Sequence, residues 1–334
     1  MKMITAMLHT SRRTLLQPRL FLAAFLVGLL SACEAPLNLE GVAAEKARDI
    51  RRYDMFQAVA HNGDRVMVVS SVGAIVTSED SGNSWQRNDL PGRPALIDIT
   101  ACANGNFYAL DSERRVWHEG SDGAWVPAAI DTPENTLSIH CAPNGRLWVT
   151  ASFSTLYWTD GEEAPAQWNE FSLYEDLQFT AVRFVDEQNG FALGEFGVVL
   201  ASTDGGDNWD QRESIPNEFY PMAVDFLDAN TGWAGGLDGV IWQTEDGARS
   251  WTRQESVTTA PIYNLHAGDE GVFAVGGSAK LVELNSGAWS VFEGAPEVLA
   301  FMRGLDTLAN GSLLVAGGGG TLAVIPLAHR TQKI

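Results

Sequence analysis

Carboxylates are the side chains in this sequence that are numerous enough to suggest chemistry. The stretch DGGDNWD places Asp204, Asp207 and Asp210 within seven residues, and such a group could be imagined around Ca²⁺. An EF-hand loop, however, needs acids or amides at alternate positions followed by a distant Glu, and this stretch lacks that order. We therefore interpret it as a turn with solvated acids, and we expect no metal and no cofactor.

Other residue types that carry chemistry are sparse or unsuitably spaced. None of the six histidines stands in an H-x-H or H-E-x-x-H pattern, so no metal site is predicted. The run GGGG at 317–320 leads into the strand-like TLAVIPL, whereas a phosphate cradle needs a helix N-terminus. No Ser-His-Asp or Cys-His motif is apparent, although a triad assembled in space from distant segments stays open.

The acidic stretch recurs along the chain. SEDSGNSW (78–85) and STDGGDNW (202–209) both fit S-x-D-x-G-x-x-W, and TEDGARSW (244–251) fits with Thr for Ser and Ala for Gly. Tryptophans that end turn-like stretches stand at positions 85, 125, 168, 209, 251 and 289. A period of about forty residues indicates a repeat architecture. Chemistry rarely needs the same site several times around a ring, whereas folding does.

The recurring motif has a physical role as a turn. Its glycine can take positive φ at little cost, and its aspartate can accept hydrogen bonds from nearby backbone amides. Its tryptophan can open the outer strand and pack on its own blade or the next. The turn residues predicted in this way are Ser78, Asp80, Gly82, Trp85, Ser202, Asp204, Gly206, Trp209, Thr244, Asp246 and Trp251.

The segments between these turns are typical of short strands. Apolar runs give way to Asn-Gly, Thr-Gly or Gly-Gly pairs, and the spacing leaves no room for long helices. Four strands in about forty residues are typical of a propeller blade. Third strands are predicted to begin at 74, 116, 156, 198, 240, 281 and 322. The sequence thus predicts an all-β, seven-bladed β-propeller of four-stranded antiparallel blades over residues 53–334.

Closure of the ring has two candidate strands. The seventh unit has no tryptophan turn and stops short of a full fourth strand. The segment APLNLEGV at 35–42 is the candidate to supply it, and the tail LAHRTQKI is the competing choice.

Residues 1–32 are predicted to be a signal peptide. Arginines precede the apolar run LFLAAFLVGLL, which is too short to span a bilayer as a permanent helix. The following LSAC resembles the lipobox of bacterial lipoproteins, which implies cleavage before Cys33, acylation of that residue and a lipid-anchored segment over 33–52. Glu34, in place of the Asp that retains such proteins at the inner membrane, favours the periplasmic face of the outer membrane.

The mature chain would be strongly acidic. Without the four basic residues of 1–32, 18 Lys and Arg face 42 Asp and Glu, a formal charge of −24. Such a surface repels nucleic acid and anionic lipid headgroups. We therefore expect no nucleic-acid partner, and membrane contact only through the lipid anchor.

Two cysteines remain, in TACANG and IHCAPNG. Cys102 and Cys141 occupy matching places in neighbouring repeats, and an exported chain meets an oxidising compartment. A disulfide between them and two buried free thiols are both open, since equivalent positions need not come within bridging distance.

The motif S-x-D-x-G-x-x-W is the Asp-box, or BNR repeat. The longer pattern of Val182 to Trp209, repeated from Val224 to Trp251, resembles the photosystem II stability and assembly factor family. The resemblance implies a non-catalytic propeller that docks on a membrane protein complex through a surface that includes an arginine-rich patch. Basic residues are few and scattered here, so only the general role of docking carries over. We expect a monomer whose partner is a membrane protein complex, such as an exporter, or another envelope protein.

The enzymatic alternative is a sialidase-like glycosidase, or a lyase, with its site in the central channel. A sialidase needs an arginine cluster and a tyrosine nucleophile beside a carboxylate. The Arg-Ile-Pro signature of those enzymes is missing, and GRPAL at 92–96 follows the first Asp-box instead of preceding it.

Partner contacts are expected in the loops that do not repeat, because propellers bind through such loops. Phe219, Tyr220 and Tyr263 are the candidate contact residues, and packing at blade junctions or at the channel mouth is the alternative for each.

Overall fold

The computed structural model describes residues 38–120, 122–161, 167–296 and 300–327. The chain divides into two units between Ala47 and Arg48, and the first is described from residue 38 onward. In the first, Glu40–Lys46 forms helix α1, whose Glu40 and Lys46 lie at the ends where their charges suit the helix dipole. None of the described helices has the length and apolar character needed to cross a membrane.

The second unit is built from strands, which fall into seven consecutive sheets. In chain order the strands are β1 (Phe56–Asn62), β2 (Arg65–Ser70), β3 (Ala74–Ser78) and β4 (Gln86–Asp89) in blade one; β5 (Leu96–Ala101), β6 (Phe107–Asp111), β7 (Arg115–Glu119) and β8 (Trp125–Ala129) in blade two; β9 (Thr136–Cys141), β10 (Leu147–Ala151), β11 (Thr155–Trp158) and β12 (Asn169–Ser172) in blade three; β13 (Phe179–Phe184), β14 (Gly190–Gly194), β15 (Val199–Ser202) and β16 (Asp210–Gln211) in blade four; β17 (Ala223–Phe226), β18 (Gly232–Gly235), β19 (Ile241–Thr244) and β20 (Thr252–Gln254) in blade five; β21 (Ile262–Gly268), β22 (Gly271–Gly276), β23 (Leu281–Asn285) and β24 (Ala288–Val291) in blade six; and β25 (Met302–Thr307), β26 (Ser312–Gly317) and β27 (Leu322–Pro326) in blade seven.

Each sheet pairs its strands antiparallel in sequence order, which confirms the predicted seven-bladed propeller. Three short 3-10 turns, Glu195–Gly197, Leu237–Gly239 and Gly277–Ala279, join the second and third strands of blades four to six. Because strand direction alternates, these turns share one face of the ring with the connections between blades. We call it the loop face, and the opposite face, which carries the Asp-boxes, the Asp-box face.

The hydrophobic core lies between blades. Each of the seven clusters of buried residues in the described chain combines side chains from two neighbouring blades. The second strand of a blade contacts neighbours on both of its faces, so strands such as β6 and β10 are buried along their whole length. This explains why these strands appear in the sequence as continuous apolar runs.

The ring closes by packing between blades one and seven. Phe56 and Val68 of blade one share a cluster with Leu314 of blade seven, and a single β-bridge joins Met55 to Gly318. Blade seven has three strands within the described residues.

The structure gives no strand to the described part of the segment proposed to close the ring. Asn38 and Leu39 precede helix α1, and Glu40–Val42 lie within it. The remainder, 35–37, and most of the competing tail, 328–334, lie outside the described residues, as do the signal peptide and Cys33.

Candidate binding faces and central channel

The three Asp-boxes are closed hydrogen-bond circuits. In the first, the Ser78 hydroxyl donates to Asp80 Oδ1 (2.8 Å) and accepts from the Gly82 amide (2.8 Å). Asp80 also accepts from the Ser84 amide (2.8 Å) and hydroxyl (2.7 Å). These hydrogen bonds, from Ser84 first, lower the pKa of Asp80, so the carboxylate is charged and engaged within its own turn.

The same circuit is repeated around Asp204 and Asp246. Ser202 and Thr244 replace Ser78 as the residues that donate to the aspartate, at 2.8 and 3.0 Å. The pKa of both aspartates is lowered, chiefly by hydrogen bonds from Asn208 and Ser250 respectively. Within the described residues no group of three His, Cys, Asp or Glu side chains is placed to hold a metal.

Each Asp-box tryptophan packs against the preceding blade. Trp209 of blade four lies edge-on to Trp148 of blade three, with ring centroids 5.5 Å apart. Trp85 of blade one joins a cluster with Val324 of blade seven, so this contact also helps to close the ring. Large apolar area is thereby buried at the junction between blades, where it stabilises the ring.

A disulfide joins blades two and three near the channel. Cys102 and Cys141 are bonded, with Cα atoms 5.3 Å apart. The Cys141 amide also donates to the Thr100 hydroxyl at 3.0 Å, so a hydrogen bond accompanies the covalent link between the two inner strands. Equivalent cysteines can bridge here because inner strands converge on the ring axis.

The first strand of every blade lines the central channel. A cavity of about 270 Å³ is bordered by side chains from all seven blades, and a second of about 120 Å³ adjoins it. The ionisable side chains that line the two cavities are His61, Asp98, His140, Arg183, Asp225, Tyr263, His266, Arg303 and Asp306.

Channel side chains hold neighbouring blades together. The Phe184 amide donates to His140 Nε2 at 3.1 Å, and the Ala267 amide donates to Asp225 Oδ2 at 2.8 Å. In both cases the amide belongs to the next blade. Asp98 repeats the pattern by accepting from the Ile139 amide at 2.9 Å.

Burial dominates the electrostatics of the channel. It lowers the pKa of His140 to about 3, with the positive charge of Arg183 acting in the same direction. It also raises the pKa of Asp98 and Asp225. His61 behaves in the opposite way, because its hydrogen bond to Asp306 raises its pKa.

The described lining of the channel does not provide the residues that the sialidase alternative requires. Two arginines, Arg183 and Arg303, line the cavities, whereas a sialidase needs an arginine cluster beside a tyrosine and a carboxylate. The Arg303 guanidinium lies over the Tyr263 ring, 5.0 Å from its centroid. One face of the Tyr263 ring is therefore in contact with a cation.

The three candidate contact residues have different environments. Phe219 is buried and stands edge-on to Trp242, at 6.4 Å between centroids, so its assignment as a contact residue is corrected to a core position. Tyr220 is half-buried and its hydroxyl accepts from Gln178 at 2.9 Å. Tyr220 on the loop face and Tyr263 at the channel remain proposals.

Two groups of residues were not identified from the sequence. The polar channel residues alternate with apolar ones in each first strand, as in NLH or LDT, and this period of two is the signal that could have revealed them. The other group is a set of exposed apolar side chains on the loop face: Phe153, Tyr174, Phe196, Leu237 and Val257. Single apolar residues in loops carry no periodic signal.

With this geometry established, comparison with known proteins identifies the family. The model of the photosynthesis system II assembly factor YCF48 family matches residues 53–211 and 160–263, together more than half of the chain. The chain belongs to this family. The resemblance inferred from the Asp-box pattern is thereby confirmed.

Individual YCF48 relatives match over part of their length. The photosystem II assembly protein Ycf48 of Thermosynechococcus vestitus is 27% identical over 172 residues, 48% of this chain and 48% of the relative. The photosystem II assembly lipoprotein Ycf48 of Synechococcus sp. (strain CC9902) is 24% identical over 148 residues, 43% of this chain and 44% of the relative. The chain thus spans about half the length of the curated relatives it matches.

Solved structures share the propeller more widely. A structure of YCF48 bound to D1 peptide has a TM-score of 0.68 and 12% identity, covering 84% of this chain and 94% of that chain. A virginiamycin B lyase from Staphylococcus aureus has a TM-score of 0.69, also at 12% identity, covering 83% and 96%. At this identity both likenesses show the fold alone, since one fold hosts assembly factors and enzymes alike.

Proposed function

We propose that this protein is a non-catalytic assembly or stability factor for a membrane protein complex. The observation that carries the proposal is the family match over 53–263, because its relatives are named photosystem II assembly proteins. The repeated carboxylates agree with it, since Asp80 and its two equivalents are engaged inside their own turns. They are unsuited to act on a substrate.

The proposed location is the periplasmic side of the envelope, with a lipid anchor at Cys33. The LSAC sequence supports this, as does the name of the Synechococcus relative, a lipoprotein. Glu34 favours the outer membrane over the inner one. An anchor of this kind would hold a monomeric propeller beside membrane-embedded partners without inserting the propeller itself.

The partner is proposed to be a membrane protein complex, such as an exporter. One solved relative is bound to a D1 peptide, which supports a propeller that engages a segment of another protein. The net charge of the mature chain, −24, favours partner surfaces that are basic or polar.

The proposal is tested by crosslinking intact cells and purifying the anchored protein, with Cys33→Ser as the unanchored control. We expect a defined membrane complex to co-purify with the anchored protein, and less of that complex to co-purify with the Cys33→Ser control. If nothing co-purifies, and the purified protein cleaves glycans or lyase substrates, the channel-enzyme alternative replaces this one.

A further inference from the structure

Exposed apolar side chains are concentrated on one part of the loop face. Five of the eleven large hydrophobic residues exposed in the described chain lie there, in blades three to five and the connection that follows: Phe153, Tyr174, Phe196, Leu237 and Val257. Tyr174 is the most exposed, at 83%. Monomeric proteins rarely expose contiguous apolar patches unless they bind something.

Three of these residues are aromatics in an unfavourable backbone conformation. Phe153, Tyr174 and Phe196 have φ of 52°, 57° and 58°, a region that bulky side chains rarely adopt. At the turns between the second and third strands of blades two, five and six, the residue with positive φ is polar: Arg114, Asp238 and Ser278. All three residues are more than half exposed, so burial of their rings within the fold does not offset this cost.

The loops that carry the three aromatic residues are joined by hydrogen bonds into one continuous surface. The Ser154 hydroxyl accepts from the Glu175 amide at 2.9 Å, which joins the turn of Phe153 to the loop of Tyr174. Gln178 continues the surface, because its side-chain amide donates to Glu195 at 3.2 Å and to Tyr220 at 2.9 Å. The rings are therefore presented by loops that brace one another.

Carboxylates surround the apolar residues. The loops 152–154, 173–178, 195–197, 212–222, 237–239 and 255–261 contain seven acidic residues and one basic residue, Arg212. Glu175 and Asp176 follow Tyr174 directly and are exposed, and Asp238 beside Leu237 is exposed as well. The surface thus alternates large apolar groups with negative charge.

We infer that this surface, which we call the aromatic–acidic patch, docks a protein segment in which Arg or Lys residues alternate with apolar side chains. Aromatic anchors would be buried by the segment while the surrounding carboxylates pair with its cations. An anionic membrane is excluded as the occupant because the same carboxylates repel it. The inference deepens the proposed function, and rests on it only for the cellular identity of the partner.

The test measures binding of a short synthetic peptide composed of Arg, Phe and Ser by fluorescence anisotropy, beside a matched peptide with Glu at each Arg position. The variant Tyr174→Asn/Phe196→Asn removes two anchors, and Asn tolerates left-handed φ, so the fold is retained. Val126→Thr/Val291→Thr is the matched control, since both valines are exposed on outer strands away from the patch. Thermal melts verify folding of each variant.

We expect the Arg peptide to bind the wild-type protein and the valine control equally. We expect it to bind the Tyr174→Asn/Phe196→Asn variant about tenfold or more weakly. Glu175→Gln/Asp176→Asn should weaken binding and reduce its dependence on salt. The inference would be overturned if the Glu peptide bound as tightly as the Arg peptide, or if the Tyr174→Asn/Phe196→Asn variant bound the Arg peptide as tightly as the wild type. If the wild-type protein bound phosphatidylglycerol vesicles and the Tyr174→Asn/Phe196→Asn variant did not, the patch would be assigned to a membrane instead. The peptide measurements do not affect the co-purification test of the proposed function. Failure of the aromatic–acidic patch can therefore be distinguished from failure of the proposed function.

Discussion

His61 on β1 and Asp306 on β25 lie 2.7 Å apart, Nδ1 to Oδ2, and so join the first blade to the last at the channel wall. His266 Nδ1 lies 3.6 Å from the other oxygen of Asp306. The pair reinforces the one junction of the ring that chain connectivity does not hold. The stability of the closed ring therefore depends on the charge of His61.

Replacing His61 with Gln should destabilise the protein more in mildly acidic than in alkaline solution. The hydrogen bond to Asp306 raises the pKa of His61, so protonation is favoured in the folded state. Its contribution is complete below the unfolded pKa of about 6.5 and is lost as pH rises through the higher folded value. Urea unfolding at about pH 6 and pH 8.5 should show the difference, about 1 kcal/mol. A pH-independent effect would contradict the charged pair.

His140 should show the opposite pH dependence. Burial lowers its pKa to about 3, so the unfolded chain binds the proton more readily, and His140 makes the fold less stable as pH falls below about 6.5. His140→Gln should therefore lose less stability than the wild type between about pH 7 and pH 5. The same urea series checks this, and parallel pH profiles for the two proteins would refute it.

Gly206→Ala should destabilise the Asp-box of blade four. Its φ is +91°, and a Cβ there would lie 2.2 Å from Cζ2 of Trp148. Gly105→Ala is the matched control, because φ is +89° but nothing lies within 4 Å of the added atom. We expect the control to lose about 1 kcal/mol of unfolding free energy from the backbone alone. Gly206→Ala should lose about 1–3 kcal/mol more because of overpacking. Equal losses in chemical denaturation would show that Trp148 moves aside freely.

Replacing Cys102 and Cys141 with Ser should lower stability by about 2–4 kcal/mol, because the disulfide closes a loop of 39 residues in the unfolded chain. Denaturant midpoints with and without dithiothreitol measure this. The wild-type protein should be sensitive to the reductant and the double variant should not. A wild-type midpoint unaffected by reductant after full unfolding and refolding would argue against a stabilising bond.

The fold was predictable because its signals are local and repeated. Each Asp-box and strand run fits within about forty residues, so the period indicates a propeller and the recurring third strand gives seven blades. The channel lining was not predictable, because His140 and Asp225 are single polar residues that come together only when the ring closes. Phe219 was placed wrongly because exposure of a loop aromatic depends on Trp242 of another segment. The pairing of Cys102 and Cys141 stayed open for the same reason, since the distance between two residues near the ring axis depends on the whole ring.

A role in the assembly of a membrane protein complex is tested most directly by the abundance of that complex in cells that lack the protein. After the complex is identified by crosslinking, native gels and quantitative mass spectrometry would compare deleted cells with cells restored by the wild-type chain or by Cys33→Ser. We predict less assembled complex in deleted cells, full recovery with the wild type and weaker recovery without the anchor. Unchanged abundance of the assembled complex in deleted cells would contradict this role.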